Sequence, residues 1–271
     1  MGKLTIRVTV GIIQKMTLVD GTLEDFARDF QIALAQRQVT VAYQPQIDVS
    51  TGTVVGVEAL ARWTHPRRGA ISPDVFVDVA QKSGLLPLLT ARVVSDVTAE
   101  YIPGCTIDVA VNVSATQLED PSLYDMFDGA FSTGRCDPAT LTIEVTESHR
   151  IAHPDRVAAP LEALTAAGVT ISVDDFGIGH SSFSRAEALR ARELKLDKSL
   201  VQADHRAGEV AQIIDEAHRR GIRVVGEGVE RGKQLDRLAA AGCDRAQGYW
   251  IAKPQRASAL LAWYRSRSHG S

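Results

Sequence analysis

The chain has few cysteines, and those it has are far apart. Its 271 residues include three, Cys105, Cys136 and Cys243, with no CxxC pair among them. An odd, scattered set fits neither a disulfide framework nor a zinc site. We therefore expect a reducing, cytoplasmic location and read each cysteine as a small apolar filler.

Basic charge and long apolar runs are also lacking. A formal net charge of −3 and a pI near 6.2 argue against a general nucleic-acid binder, so no DNA partner is expected. The apolar stretches are too short for a membrane segment. Residues 1–10 alternate apolar and polar positions and lack the apolar core of a secretory signal. We expect residues 1–20 to be an N-terminal extension or linker and residues 21–271 to form one domain.

What the chain does contain is an alternation of apolar strands and amphipathic helices. Three predicted helices end in glycine, at Gly168, Gly221 and Gly242, which suits the left-handed residue that closes a helix. Such helix–glycine–strand repetition predicts βα units and a parallel sheet. The candidate strands lie near 40–47, 53–62, 106–113, 140–146, 169–174, 193–197, 222–227 and 245–250. About eight strands in this length match a (β/α)₈ barrel, with a doubly wound open sheet as the alternative.

Several of these strands place a polar residue near the carboxyl end, on the face opposite the aliphatic one. Strand alternation puts these residues on a shared inner face, and barrel enzymes carry their catalytic groups at that end. The candidate metal ligands are Glu58, Asn112, Glu144, Asp174, Asp175 and Glu227. Any one alone is an ordinary solvated residue or helix cap, but six with consistent placement favour a metal site. Because all are oxygen donors, they suit Mg²⁺ or Mn²⁺, and the adjacent pair Asp174–Asp175 suggests two ions.

At these residues the chain resembles the EAL domain family. The resemblance runs from about Asp25 to about Gln255, and its seven motifs occur in order. They are Tyr43-Gln44-Pro45, Glu58-Ala59-Leu60-Ala61-Arg62-Trp63, Asn112-Val113-Ser114, Glu144-Val145-Thr146-Glu147, Asp174-Asp175-Phe176-Gly177-Ile178-Gly179, Lys195-Leu196-Asp197 with Glu227-Gly228-Val229-Glu230, and Gln247-Gly248-Tyr249. The resemblance implies a TIM-like (β/α)₈ barrel of the EAL type, in which the first strand runs antiparallel to the others.

The resemblance also implies an activity: hydrolysis of cyclic di-GMP to linear 5′-pGpG with Mg²⁺ or Mn²⁺. Glu58, Asn112, Glu144 and Asp174 would hold one ion, and Asp174, Asp175 and Glu227 the second. The implied catalytic residues are Glu58, Lys195, Glu227 and Gln247. Lys195 would orient or polarise the attacking water, and Gln247 would help hold the water network. Lys195 is disfavoured as a literal base, because neighbouring carboxylates favour its ammonium form.

Further roles follow from the same resemblance. Gln44, Leu60, Arg62 and Asp197 are implied substrate contacts, with Arg62 on a phosphate. Glu147 and Glu230 would support the metal shell and a mobile loop, 176–182, in which Gly177 and Gly179 allow bending. Ile178 and His180 depart from the residues common in that loop, which puts rate and regulation in doubt more than chemistry. A homodimer and an upstream sensory module are also expected.

Two other functions remain open. One is a catalytically weak or silent EAL domain that binds cyclic di-GMP as a sensor. The other is an unrelated metal-dependent barrel of the aldolase or enolase kind, which would also gather carboxylates and a lysine at its mouth. A dinucleotide-binding turn at Gly177-x-Gly179 is disfavoured, because the third glycine is missing and Asp174-Asp175 would repel a pyrophosphate.

Overall fold

The computed structural model describes residues 22–100, 107–146, 151, 153–177 and 182–268, with side chains up to residue 264. The strands are β1 Val39–Asp48, β2 Val54–His65, β3 Gly69–Ile71, β4 Asp108–Ser114, β5 Leu141–Thr146, β6 Thr170–Phe176, β7 Glu193–Leu196, β8 Arg223–Gly226 and β9 Arg245–Gln247. The helices are α1 Leu23–Ala35, α2 Pro73–Lys82, α3 Leu86–Glu100, α4 Pro121–Ser132, α5 Pro154–Ala166, α6 Phe183–Ala188, α7 Lys198–Gln202, α8 Ala207–Arg219, α9 Gly232–Ala240 and α10 Ala257–Ser268. Residues 1–21, which include the expected extension 1–20, lie outside the described residues.

Eight strands close into a barrel. The sheet order is β1-β9-β8-β7-β6-β5-β4-β2-β3, and β1 also pairs with β2, which closes the ring and leaves β3 outside. β1 is antiparallel to both of its neighbours, whereas the strands from β4 to β9 and the β2–β4 pair are parallel. The predicted barrel and its antiparallel first strand are confirmed, and the open-sheet alternative is wrong.

The aliphatic face of each strand packs outward beneath the helices. Val111, Ile143, Ile171, Leu194 and Val224 lie on five successive strands, and each is 0% exposed. Their alternation with polar residues is what turns the polar face inward. Burial of each such side chain contributes about 1.5–3 kcal/mol, so this layer fixes which residues face the interior.

The helix α1 anchors β2 from outside the barrel. Thr22 and Asp25 form a capping box that starts the helix. Phe26 and Phe30 then pack on Trp63 of β2, with ring centroids 5.2 and 5.0 Å apart. Trp63 is 1% exposed, so β2 is held firmly along the side that does not face the interior.

Two arginines and two carboxylates form ion pairs at the amino-terminal end of the barrel. Arg245 Nη2 lies 2.6 Å from Asp108 Oδ2, and Arg223 Nη2 lies 2.6 Å from Glu193 Oε2. Two arginines thus compensate two carboxylates, as buried charges require. We call these four residues the lower cluster. They lie at the amino-terminal ends of their strands, opposite the carboxyl-terminal rim at which barrel enzymes carry their sites.

Among the described helices, none is both long and apolar enough to cross a bilayer.

Candidate metal centre

Lys195 lies at the centre of the upper half of the barrel. It stands on β7 and is 1% exposed. Its Nζ lies 2.7 Å from Glu227 Oε1, 2.8 Å from Glu144 Oε2, 3.4 Å from Asp174 Oδ1 and 3.5 Å from Glu58 Oε2. One ammonium group therefore holds together four carboxylates from four different strands or their ends, as strand parity predicted.

The neighbouring strands β2, β4 and β5 supply Glu58, Asn112 and Glu144 from about the same height in the barrel. Asn112 of β4 is in register with Glu144 of β5, so their side chains emerge side by side. Asn112 Nδ2 donates a hydrogen bond of 2.8 Å to Glu58 Oε1 on β2. Since the amide nitrogen is engaged there, the carbonyl oxygen of Asn112 is the atom that can face a cation.

Asp175 reaches the cluster because the backbone leaves the regular strand. Neighbouring residues on a regular strand point to opposite faces, so the consistent placement predicted for all six ligands by alternation is wrong for Asp175, which would be turned away from Asp174. Asp175 instead has φ 56°, and the β6–β7 register shifts between Val173 and Phe176. Aspartate is among the few residues that tolerate this left-handed conformation. As a result, carboxylate oxygens of Asp174, Asp175 and Glu227 lie within 4.8 Å of one another.

Glu227 directly follows the last residue of β8, and one backbone hydrogen bond keeps it paired with β7. Its amide N donates to the carbonyl of Leu196 at 3.1 Å, which extends the β7–β8 pairing past Gly226. Its side chain therefore reaches Lys195 from the end of β8, which neighbours β7 on the side opposite β6.

Burial and crowding strongly perturb the acids. Burial raises the pKa of Glu144 well above its usual value, and the charges of Glu58 and Asp174 add to this against the opposing effect of Lys195. Burial likewise raises the pKa of Glu227 to about 8, although Lys195 opposes it. Closely packed carboxylates that resist ionisation together are typical of a site that needs a cation.

The lysine and Glu58 stay charged. Burial lowers the pKa of Lys195, but the charges of Asp174, Glu144 and Glu227 outweigh it and raise the pKa well above the usual value. Burial raises the pKa of Glu58, but Lys195 and the hydrogen bonds it accepts bring that pKa below its usual value. The environment thus favours an ammonium group at Lys195 beside an ionised carboxylate at Glu58.

The donor set fits divalent metal ions. Within the part of the chain that the structure describes, buried Glu144 Oε1 accepts no hydrogen bond, and buried Asp174 Oδ1 has only the ion-pair contact with Lys195 Nζ at 3.4 Å, although such oxygens normally find a hydrogen-bond partner. Five carboxylates against one ammonium leave a formal charge of −4, which two divalent cations would neutralise. Oxygen donors without histidine or cysteine suit Mg²⁺ or Mn²⁺.

Glutamine side chains form the wall on the β1 and β9 side. Gln44 is in register with Glu58 in the β1–β2 pair. Gln247 Nε2 donates to Glu58 Oε2 at 2.6 Å and to Gln44 Oε1 at 3.2 Å. Gln46, which was not predicted as a site residue, donates from its Nε2 to Gln247 Oε1 at 3.1 Å. Its position two residues after Gln44 puts it on the same face, which is the signal that could have found it.

Of the other predicted substrate contacts, Leu60 and Arg62 lie on β2, whereas Asp197 lies at the start of α7. Leu60 and Arg62 share the Glu58 face of β2 and are half-buried, and Arg62 Nη1 donates to the carbonyl of Ala61 at 2.8 Å. Asp197 Oδ1 accepts from the backbone N of Ser199 at 2.6 Å, so it caps α7. Substrate contact by these residues and by Gln44 stays a prediction.

The structure describes only some of the residues that were predicted to support the metal site and the loop 176–182. Glu230 is exposed, and its backbone N donates to Gln234 Oε1 at 2.7 Å. Gly177 has φ 97°, and a β-carbon there would lie 2.2 Å from Leu200 Cδ1, so no other residue fits. Glu147 and Gly179 lie outside the described residues, as do Ile178 and His180. The roles assigned to these loop and supporting residues therefore stay predictions.

A closed barrel with one antiparallel strand and an acidic, oxygen-only cluster at its carboxyl-terminal rim defines a TIM-like barrel with a candidate divalent-metal centre. The chain belongs to the EAL domain family, whose sequence pattern it matches over residues 27–254. EAL domains generally depend on divalent metal ions, and the acidic cluster here is of that kind.

Two relatives and one solved structure illustrate the similarity. The chain is 35% identical over 243 residues to the bifunctional diguanylate cyclase/cyclic di-GMP phosphodiesterase MucR of Pseudomonas aeruginosa, covering 86% of this chain and 36% of that protein. It is 32% identical over 241 residues to the cyclic di-GMP phosphodiesterase PdeR of Escherichia coli, covering 86% of this chain and 36% of that protein. The structure of the MucR phosphodiesterase in complex with cyclic di-GMP superposes with a TM-score of 0.80 at 34% identity, covering 88% of this chain and 100% of that one. The chain thus spans about a third of the length of these curated relatives.

Proposed function

We propose that this chain is a cyclic di-GMP phosphodiesterase that uses two Mg²⁺ or Mn²⁺ ions to open the cyclic dinucleotide to linear 5′-pGpG. The observation that carries the proposal is the buried cluster in which Lys195 joins Glu58, Glu144, Asp174 and Glu227. Every residue that the family resemblance assigns to the metal centre and to the lysine position is present. Relatives named cyclic di-GMP phosphodiesterases support the choice of substrate.

The cluster divides naturally between two ions. Glu58, Asn112, Glu144 and Asp174 would hold the first, and Asp174, Asp175 and Glu227 the second. When bound, such ions lower the pKa of water and compensate the charge on the phosphoryl oxygens. In the reaction, the water oxygen bonds to phosphorus, the bond from phosphorus to the 3′ oxygen breaks, and the 3′ oxygen leaves with a proton.

The chain's own groups supply orientation and charge. The surrounding carboxylates raise the pKa of Lys195 and so favour its ammonium form, which would donate hydrogen bonds to the attacking water. At the rim, the planar guanidinium of Arg62 suits two oxygens of a phosphate. Gln44 and Leu60 line the same side, where the remainder of the substrate would lie.

A product assay tests this function. Incubation with cyclic di-GMP and Mn²⁺ or Mg²⁺, followed by chromatography, should yield linear 5′-pGpG. A chelator should stop the reaction, and Ca²⁺ should inhibit it because its looser coordination misplaces the water. If the protein binds cyclic di-GMP but yields no product with either ion, the proposal is wrong and the chain is a binding module.

Ion affinity should depend on pH through Glu227. Without metal this group has a pKa of about 8, so below that pH an incoming ion must displace its proton. The apparent affinity for Mn²⁺ should therefore rise from about pH 6.5 to about pH 8.5. Calorimetry in two buffers of different ionisation enthalpy should detect proton release near pH 7.

The matched variant is Glu227→Gln, which cannot ionise. It should bind Mn²⁺ more weakly and lose the part of the pH response centred near 8. Equal wild-type affinities at about pH 6.5 and 8.5 would contradict the prediction.

A cytoplasmic location, a homodimer, an upstream sensory module and the division into residues 1–20 and 21–271 remain predictions from the sequence. Size measurement in solution tests the dimer directly.

A further inference from the structure

We propose that Gln46 is a positioning residue, which fixes the side-chain amide of Gln247 so that its nitrogen, and not its oxygen, faces Glu58. The inference rests on the proposed function, because Gln247 and Glu58 belong to the site described above. Gln46 itself lies one layer deeper, between that site and the lower cluster.

The three side chains form a directed series of hydrogen bonds. Gln46 and Gln247 are 2% and 4% exposed, and they are opposite each other in the β1–β9 pair. Gln46 Nε2 donates to Gln247 Oε1 at 3.1 Å, and Gln247 Nε2 donates to Glu58 Oε2 at 2.6 Å. Because an ionised carboxylate only accepts, the second bond forms in one of the two amide orientations alone. The donor Gln46 on the far side of Gln247 favours that orientation, and so does Gln44 Oε1, which accepts a second bond from Gln247 Nε2 at 3.2 Å.

The carbonyl oxygen of Gln46 lies on the side of the lower cluster. Gly56 is opposite Gln46 in the β1–β2 pair. A β-carbon at Gly56 would lie 3.1 Å from Gln46 Oε1 and 3.3 Å from Arg245 Nη1, so both atoms lie over this glycine. The carbonyl oxygen of Gln46 is thus on the side of a guanidinium that is paired with Asp108, and its nitrogen is left for Gln247.

The orientation of the Gln247 amide decides whether Glu58 accepts a hydrogen bond from it. If Gln247 turned over, its Oε1 would face the carboxylate of Glu58, and two acceptors would repel each other. Glu58 would then keep the bond from Asn112 Nδ2 but lose its shorter one. A carboxylate that must hold one fixed geometry depends on such supporting bonds.

The decisive variant is Gln46→Glu. A carboxylate at position 46 only accepts, so it should draw Gln247 Nε2 away from Glu58, while the nearby Arg245 compensates its charge and keeps the protein folded. We expect kcat to fall about tenfold or more, the loss of a hydrogen bond to a charged group, with KM changed by less than about twofold. Gln46→Met, which removes the donor without adding charge, should lower kcat less.

A double-mutant cycle separates positioning from general structural damage. If Gln46 acts through Gln247, then Gln46→Glu should have almost no further effect on kcat in a Gln247→Met background. Thr90→Val is the matched control, since it removes another buried hydrogen bond, the one that Thr90 Oγ1 accepts from Gln117 Nε2 on the outer side of the barrel. It should lower the melting temperature without lowering kcat.

A second measurement works on metal-free protein and needs no activity. The side-chain amide signals of Gln247, assigned by their loss in Gln247→Met, should shift in Gln46→Glu and not in Thr90→Val. If hydrolysis is present but neither kcat nor these signals respond to Gln46→Glu, or if the Gln46 effect persists in full without Gln247, the positioning role is wrong. If the signals respond while the wild type yields no product, the proposed function fails and the positioning role stands.

Discussion

Glu58→Ala is expected to abolish turnover of cyclic di-GMP while leaving the protein folded. Glu58 is an assigned ligand of the first ion, and it also joins the two sides of the centre. Its Oε1 accepts from Asn112 Nδ2 and its Oε2 from Gln247 Nε2, while Lys195 lies 3.5 Å away. Removing one group that stabilises charge in an active site typically costs about 100- to 1000-fold in kcat. Since a metal ligand is lost as well, we expect at least that loss.

The effect on folding should be modest. Asn112 Nδ2 loses its acceptor, which costs about 1–3 kcal/mol if it stays unpaired, whereas Gln247 Nε2 still donates to Gln44 Oε1. Against this, the charge of Glu58 raises the pKa of Glu144, so its removal relieves repulsion between two buried acids. The melting temperature should therefore fall by a few degrees and the circular dichroism spectrum should stay unchanged.

The measurement is the rate of pGpG formation with saturating Mn²⁺. Glu162→Ala is a suitable control, because Glu162 is exposed on α5 and pairs only loosely with Arg190, at 3.4 Å. It should retain full activity. Substantial turnover by Glu58→Ala with Mn²⁺ would show that Glu58 is not a ligand, and the assignment of the first ion would have to be abandoned.

The sequence predicts the inner face of the barrel well, because strand alternation is a fixed geometric property. Glu58, Asn112 and Glu144 were predicted to point inward from strand alternation, and Asn112 donates to Glu58 there while Glu144 accepts from Lys195. The direction of β1 could not be predicted in this way, since alternation is identical for a parallel and an antiparallel strand. Only the family resemblance supplied that direction.

Other features depend on contacts between distant strands. Asp175 joins the centre only through its left-handed backbone, which alternation along a strand does not predict. The lower cluster joins Asp108 of β4 to Arg245 of β9, 137 residues apart, and this pairing exists only once the barrel closes. Gln46 lies just beyond the Tyr43-Gln44-Pro45 motif, so it was overlooked although its parity with Gln44 was available in the sequence.

Lys195→Met is expected to lose turnover to a similar extent, about 100- to 1000-fold, and to make stability depend on metal. Among the described residues Lys195 is the cation that the four carboxylates share. Removing one partner of a buried ion pair costs about 3–5 kcal/mol, because uncompensated charge stays behind. Without metal the carboxylates would hold protons instead, so the variant should melt well below the wild type.

The loss of folding stability in Lys195→Met should increase with pH. Without Lys195, the pKa values of Glu144 and Glu227 in the folded protein rise further above their unfolded values. For an acid with a raised pKa, folded stability is kept at low pH and is lost as pH rises through the folded pKa. The deficit of Lys195→Met in chelator should therefore be larger at about pH 8.5 than at about pH 6. Lys82→Met, which breaks an exposed pair with Asp78, should show almost no deficit at either pH.

Metal then separates the two roles of Lys195. Mn²⁺ binds only the folded form and brings positive charge to the same carboxylates, so it should restore more of the melting temperature in Lys195→Met than it adds to the wild type. Turnover should not return, because the ammonium group that orients the attacking water is still missing. If Mn²⁺ restores activity together with stability, Lys195 serves only to hold the carboxylates in place before metal binds, and its catalytic role must be withdrawn. A variant that is stable with Mn²⁺ yet inactive would assign Lys195 a direct part in the reaction, which we expect to be orientation and charge stabilisation.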